Sequence, residues 1–287
     1  MYMLGKIIKI YVKALVHGFR PTGFNKGFLL LEKIKKSELK NEILAITRIR
    51  NEELIIDDTL SYLSDQVDDI IVFDDDSTDG TLSKVLKCNK VSKVICNLKW
   101  KKDRTIEETQ NRAKLLELAK KSKSEWIYYA DADERIVENI KSYLSKVDNN
   151  VDSIYVTLFD AYITKKDLKP YKRGTKLIDF REYFGPEYRN ILMLWRNKEY
   201  FSYQGIDKRE PDGAKNSITA LHCQHYGKAI SVEQWEETCE YYCENFPEPY
   251  KSKWQNRKGK AIHETSDFGN KLYKWGKPLY ENKKELQ

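Results

Sequence analysis

Four short apolar runs constrain this chain more than anything else in it. "ILAIT" (43–47), "DIIVFD" (69–74), "KVICN" (93–97) and "WIYYA" (126–130) are apolar nearly throughout, and stretches with helical spacing separate them. Leu54, Ile55, Thr59, Leu60 and Leu63 mark one such stretch, Val85 and Leu86 a short second one, and 105–121 a long third; a further helix is expected over 135–146. Strands apolar on both faces must be covered on both, and strands alternating with amphipathic helices pair in parallel. The expected fold is α/β, a mainly parallel central sheet with helices on both faces. In such sheets ligands sit beyond the carboxyl ends of the strands. Three of those ends carry polar clusters: "TRIRNEE" after the first strand, "DDDSTDGT" after the second and "DADE" after the fourth. They should meet at one edge of the sheet.

Asp131 and Asp133 stand two apart where a buried strand emerges. Two carboxylates there can coordinate a hard divalent cation, which in turn binds phosphate oxygens. The plainer reading makes Asp133 the N-cap of a helix starting near Glu134, favourable by about 1 kcal/mol. In "FDDDSTDGT" (73–81), Asp74 and Asp75 leave the strand, Ser77 and Thr78 make the turn, and Asp79 and Gly80 lead into a helix. An ionised carboxylate is a pure acceptor and can take the imide N–H of a uracil ring. An acidic Asx-turn is the alternative.

Taken together, "AITRIRNEELIIDDTLSYLSDQVDDIIVFDDDSTDGT" followed by "WIYYADADER" resembles the nucleotide-sugar half of an inverting, family-2-type glycosyltransferase with the GT-A fold. The nearest subgroup by these motifs is the bacterial lipopolysaccharide-core type of sugar transferase. The likeness is good over 42–145 and weaker over 146–228. It implies a division into a basic amphipathic N-terminal extension (1–40), a catalytic domain (41–228, with nucleotide-sugar and acceptor halves meeting at 145/146) and a helical, basic C-terminal region (229–287). It also implies roles. Thr47, Arg48, Arg50 and Glu52 line the nucleotide; Asp75 reads uracil; Asp131 contacts ribose and metal waters; Asp133 binds Mn2+ or Mg2+ directly. Arg112 matches the arginine of an Arg-Asn pair facing the donor, although Ala113 follows it here.

Breaking the bond to a nucleoside diphosphate leaves negative charge on two phosphates, and a cation at Asp133 would offset it as it develops. An inverting enzyme also needs a carboxylate to take the acceptor's hydroxyl proton. "YQGIDKREPDG" (203–213) is the best source, with Glu210 as the expected base and Asp207 and Asp212 as rivals; a solvated charged loop is the bland alternative. His225, in "HCQHYG" (222–227), is expected to join the metal or the diphosphate, or else to be a structural histidine. The implied substrates are a nucleotide-sugar donor, a uridine diphosphate sugar by the Asp75 motif, and a glycan or lipid-linked acceptor in cell-envelope synthesis. A sugar-phosphate nucleotidyltransferase would want a glycine-rich phosphate loop, and "TRIRNEE" has no glycine. A degenerate, non-catalytic transferase-like partner at a membrane is the other alternative, and intact acids at Asp75, Asp131 and Asp133 speak against it.

Charge is distributed unevenly. Residues 1–40 hold nine Lys/Arg against two acids and residues 251–287 ten against four, so with a net charge of +7 the centre is negative by about six. Basic ends around an acidic fold do not suit a nucleic-acid binder and fit an anionic membrane surface better. The segment "MLGKIIKIYVKALVHGF" places Leu4, Ile7, Ile8, Tyr11, Val12, Leu15, Val16 and Phe19 at helical spacing, with Lys6, Lys9 and Lys13 between them. It reads either as a helix docked on the core or as a basic amphipathic helix in a membrane interface. No apolar run approaches the ~20 residues that span a bilayer. Five scattered cysteines read as reduced thiols, so the expected setting is cytoplasmic, with peripheral attachment to the inner face of the membrane as the further option.

Overall fold

The computed structural model describes residues 2–25, 27–34, 42–101 and 104–286, so the expected boundary at 40/41 lies outside the described residues. Helix α1 (Tyr2–Val16) leads into β1 (Phe19–Asn25) and β2 (Phe28–Lys33). The alternating half follows as β3 (Ile43–Ile49), α2 (Ile56–Gln66), β4 (Asp69–Asp74), α3 (Thr81–Lys87), β5 (Val91–Asn97), α4 (Arg104–Lys120) and β6 (Trp126–Tyr129). Next come β7 (Glu134–Ile136), α5 (Ile140–Leu144), β8 (Ser153–Ala161), β9 (Tyr183–Arg196) and β10 (Ser217–His225). The chain then runs through α6 (Val232–Asn245), α7 (Tyr250–Gln255), β11 (Tyr273–Lys274), α8 (Lys277–Tyr280) and β12 (Lys284–Glu285).

All strands belong to one sheet in the order β1-β2-β5-β4-β3-β6-β9-β8-β10-β7, with β11 and β12 paired to β9. The centre is parallel, as expected: β5, β4, β3 and β6 run together. Antiparallel partners, β2 on one flank and β9 on the other, extend it both ways. Side chains of the central strands alternate between two cores. Ile70 and Val72 of β4, Ala45 of β3 and Tyr128 of β6 pack with Leu60 and Leu63 of α2. Their neighbours Ile71, Phe73, Ile46 and Tyr129 pack with Leu115 and Leu116 of α4 on the other face. A strand side-chain period of two thus buries both faces, which is why these runs carry no polar alternation.

Three expectations change, the simplest being the C-terminal region 229–287, expected to be helical, which also adds β11 and β12 to the sheet beside β9. The helix expected over 135–146 begins as a strand, for Glu134, Arg135 and Ile136 are wholly buried and β7 pairs antiparallel with β10. The helix waits until Ile140, where Asn139 caps it by accepting the Ser142 N–H at 2.8 Å. Asp133 is therefore not a helix cap. The N-terminal extension, in turn, is more than a helix. Its hairpin joins the sheet beside β5, with Pro21 on the outermost strand at a register shift, where a missing N–H costs no ladder bond.

α1 docks along a narrow seam of Ile7, Ile10 and Ala14. Leu4, Ile8, Tyr11, Val12, Leu15 and Val16 stay exposed. The docked reading thus holds for one narrow face of the helix, and the other face is exposed. Among the described residues no helix is long and apolar enough to cross a membrane.

Candidate active site

The ends of β3 and β6 open on a cavity of about 770 Å³. Arg48, Arg50 and Glu52 enter it from the loop after β3, Asp131 and Asp133 from the turn after β6, and Glu108 and Arg112 from α4. Arg209 and Asp207 reach it from the loop between β9 and β10, and His225 from the end of β10. Eight of the expected site residues, Arg48, Arg50, Glu52, Arg112, Asp131, Asp133, Asp207 and His225, thus lie around one opening, at the sheet edge where ligands were expected.

Asp133 and His225 face each other, with Oδ2 and Nε2 3.5 Å apart. The other imidazole nitrogen, Nδ1, lies 2.6 Å from Asp160. Burial alone would keep the imidazole neutral, but Asp133 and Asp160 override it and push its pKa up to about 10. Burial likewise raises Asp133, yet His225 outweighs it and holds the carboxyl below the usual range. Gly227 completes the arrangement. A Cβ there would lie 2.7 Å from Asp133 Oδ2 and 2.8 Å from His225 Nε2, so both donor atoms border a space that only glycine leaves open. Among the described residues, no three His, Cys, Asp or Glu side chains converge on one point as a metal cage would. A carboxylate and an imidazole beside an open space are chemically suited to hold a divalent ion, which would need further ligands from outside this pair.

Asp131 is turned elsewhere. Its Oδ2 accepts from Arg209 Nη1 at 2.9 Å, and Arg209 Nη2 also reaches Glu134 at 2.5 Å. Glu52 sits among these acids. Burial first, then Asp133 and Asp131, push its carboxyl up to about 8.

Three expected roles do not match their positions. Asp75, expected to read a base, is wholly buried and does not line the cavity. One of its oxygens accepts from Asn97 at 2.8 Å and Asn111 at 3.4 Å; the other takes Arg48 at 2.9 Å, together with Arg104. It anchors the arginines rather than offering a free acceptor. Thr47 is also fully buried and does not line the cavity. Glu210, the expected base, turns away, its Oε2 accepting the Leu192 N–H of β9 at 2.9 Å. Asp212 pairs with Lys208 at 2.9 Å and is likewise absent from the cavity wall. The rival Asp207 is the acid this loop presents. It sits at φ 55°, held by its N–H to Thr105 O at 2.9 Å, and accepts the Tyr250 hydroxyl at 2.6 Å.

Arg112 faces the cavity as expected, donating to the Tyr129 hydroxyl at 3.0 Å. The asparagine of the pair precedes it, as Asn111, and is spent on Asp75. Arg50 braces the loops, donating to the carbonyls of Asp75 and Asp76 at 2.7 and 2.8 Å. Sequence reasoning missed Arg209, Glu108 and a whole wall from α6 and the turn into α7: Glu233, Glu237, Tyr241, Tyr242, Phe246 and Tyr250. Glu108 binds Arg48 at 3.0 Å and lies one turn from both Arg104 and Arg112, a spacing visible in the sequence. For the α6 wall the signal was the i, i+4 pair Glu233 and Glu237 on a Trp- and Tyr-rich helix.

Residues 45–206, more than half of the chain, match the family described as glycosyl transferase family 2. The chain belongs to that family. Its open α/β sheet is accordingly the GT-A architecture, and residues 231–250 of the cavity wall lie beyond the matched region. Over 170 residues the chain is 28% identical to the SPbeta prophage-derived glycosyltransferase SunS of Bacillus subtilis (strain 168), covering 59% of this chain and 35% of that protein. The same figures hold for glycosyltransferase SunS of Bacillus phage SPbeta. The chain therefore spans about a third of the length of these curated relatives. Among solved structures, S. aureus TarS 1–349 aligns at 16% identity and a TM-score of 0.39, covering 75% of this chain and 71% of that one. Glucosyl-3-phosphoglycerate synthase from Mycobacterium tuberculosis aligns at 16% identity and 0.30, covering 42% and 44%. At such scores these likenesses add nothing to the family match.

Proposed function

We propose that this family 2 domain transfers a sugar from a nucleoside diphosphate donor to a hydroxyl acceptor with inversion; a uridine diphosphate sugar is the proposed donor by the resemblance of the motifs alone, since Asp75 is buried and offers no free acceptor. One observation carries the reading: Asp133, His225 and the open space over Gly227 lie in the same cavity as Asp207. The bound divalent ion, Mn2+ or Mg2+, would be held by Asp133 and His225 and would offset charge on the leaving diphosphate. Arg48, Arg112 and Arg209 line the cavity and place further positive charge around the same group. Asp207 is the base of this proposal, in place of Glu210. Residues of α6 form one wall of the cavity and would limit the access of water to the donor, which favours transfer to an acceptor over hydrolysis. Calorimetric titration with uridine diphosphate tests the reading: tight binding is expected with manganese and much weaker binding without it. Nucleotide binding indifferent to the ion, or a preference for guanosine diphosphate, would overturn it. Slow hydrolysis across a panel of nucleotide sugars then names the donor.

The exposed apolar face of α1 supports a second element of the reading, a glycan or lipid-linked acceptor met at an anionic membrane surface in cell-envelope synthesis. Lys9 and Lys13 are exposed beside Leu4, Ile8, Tyr11, Val12, Leu15 and Val16. Lys6 is not free for that purpose: it binds Asp76 and the Leu98 carbonyl.

A further inference from the structure

Arg209 is the one cavity arginine that grips the acidic turn after β6 itself. Its two terminal nitrogens hold Asp131 at 2.9 Å and Glu134 at 2.5 Å. Glu134 is wholly buried and its other oxygen accepts the Asp131 N–H at 3.2 Å, so one guanidinium ties the turn together. The loop that carries Arg209 is pinned to α4. Asp207 N–H bonds to Thr105 O at 2.9 Å, Lys208 N–H to Thr109 Oγ1 at 2.9 Å, and Lys208 O accepts from Arg112 at 3.2 Å. The backbone is thus fastened while the side chain is about 30% exposed into the cavity. A guanidinium has five N–H donors in a fork that matches phosphate as well as carboxylate. Here its Nε is buried without a partner among the described residues, so its donor capacity is not filled by the two acids.

We propose that Arg209 is a resident counter-cation: it holds Asp131 and Glu134 in the donor-free enzyme and turns to the diphosphate when the donor arrives. This rests on the nucleotide-sugar reading above and deepens it. A free divalent ion meets a turn whose partly exposed acid, Asp131, is already held by Arg209. Only a ligand that brings its own negative charge gives Arg209 a new partner and leaves Asp131 free to act beside Asp133. Ion and nucleotide should therefore bind as one complex, with the ion alone binding poorly. Arg209 is a positioning residue for the acidic turn when the cavity is empty and a diphosphate ligand when it is filled.

The test is calorimetry with MnCl2 alone, uridine diphosphate alone and both together, on wild type and variants. Wild type should bind manganese only with the nucleotide. Arg209→Gln should bind manganese alone measurably, yet lose roughly 10- to 100-fold in affinity for the manganese–nucleotide complex, the scale of changes next to metal ligands. Because Arg209→Gln strands a buried Glu134, the double variant Arg209→Gln/Glu134→Gln is run beside it and should behave alike. Arg209→Lys, which keeps the charge, should restore nucleotide dependence. Complex binding that both glutamine variants leave intact, or continued indifference of those variants to manganese alone, overturns the Arg209 assignment while the functional reading stands. Wild type that binds no uridine diphosphate under any of these conditions overturns both.

Discussion

A methyl group on Gly227 would lie 2.7 and 2.8 Å from Asp133 Oδ2 and His225 Nε2, which makes the missing side chain itself testable. Gly227→Ala should lower affinity for the manganese–nucleotide complex by roughly tenfold, in the range of changes around metal ligands, with no ligand removed; calorimetry reads it, and an unchanged thermal midpoint shows that the fold is intact. The base offers a sharper contrast. Asp207→Asn should cut turnover by roughly 100-fold with donor affinity nearly unchanged, the loss expected of a general base. Glu210→Gln should leave turnover close to wild type; the opposite pattern would return the role to Glu210. At Asp75 the expectation shifts from binding to folding. Asp75→Asn leaves wholly buried Arg104 without its carboxylate and should cost about 3 kcal/mol in urea denaturation, as when a buried ion pair loses one partner. Asp133 could be picked out from its neighbours along the chain, whereas the choice between Asp207 and Glu210 could not. Which acid of that loop faces the cavity depends on Thr105 and Thr109, about a hundred residues away on α4.

At the scale of elements, α1 has one docked face and one exposed face. Its docked seam and the hairpin behind it belong to the fold, for Phe19 and Ala14 are fully buried. Removing residues 1–22 would therefore damage the sheet edge and is a poor test of membrane binding. Substitution on the exposed face avoids that difficulty. Ile8→Glu with Val12→Glu should leave the melting midpoint within about 0.5 kcal/mol of wild type in stability, as surface changes do. If the face meets lipid, the same variant should fail to sediment with anionic liposomes that retain the full chain. Retention of both proteins, or of neither, would count against a lipid-facing role. The amphipathic period was legible in the sequence. That Lys6 would be spent on Asp76, at the turn of the nucleotide motif, was not, because the pairing joins positions 70 apart.

Across the whole molecule, a chain of charges links the cavity to the C-terminal segment. His225 meets Asp160, Asp160 meets Lys228 at 3.0 Å, and Lys228 and Arg257 both meet Asp267. Burial by itself would raise Asp267, but His263, Lys228 and Arg257 outweigh it and hold its carboxyl well below the ordinary range. A carboxyl depressed in the folded state contributes stability above its unfolded pKa of about 3.9, and that contribution is lost as pH falls through the folded value. Asp267→Asn should therefore cost about 3 kcal/mol at pH 7, and the gap from wild type should close progressively below about pH 4; urea denaturation at several pH values measures it. A gap independent of pH would show that packing, not charge, holds this segment. The sequence by itself determined the sheet and the edge at which ligands meet it, because strands apolar on both faces and helices of regular period are local patterns that burial must satisfy. Only the tertiary structure decided that residues 134–136 pair with β10 instead of starting a helix, that Asp75 is an anchor, that Asp207 faces the cavity and that α6 walls it. Each of those outcomes depends on a partner far along the chain, and no local period records which distant group a buried charge will find.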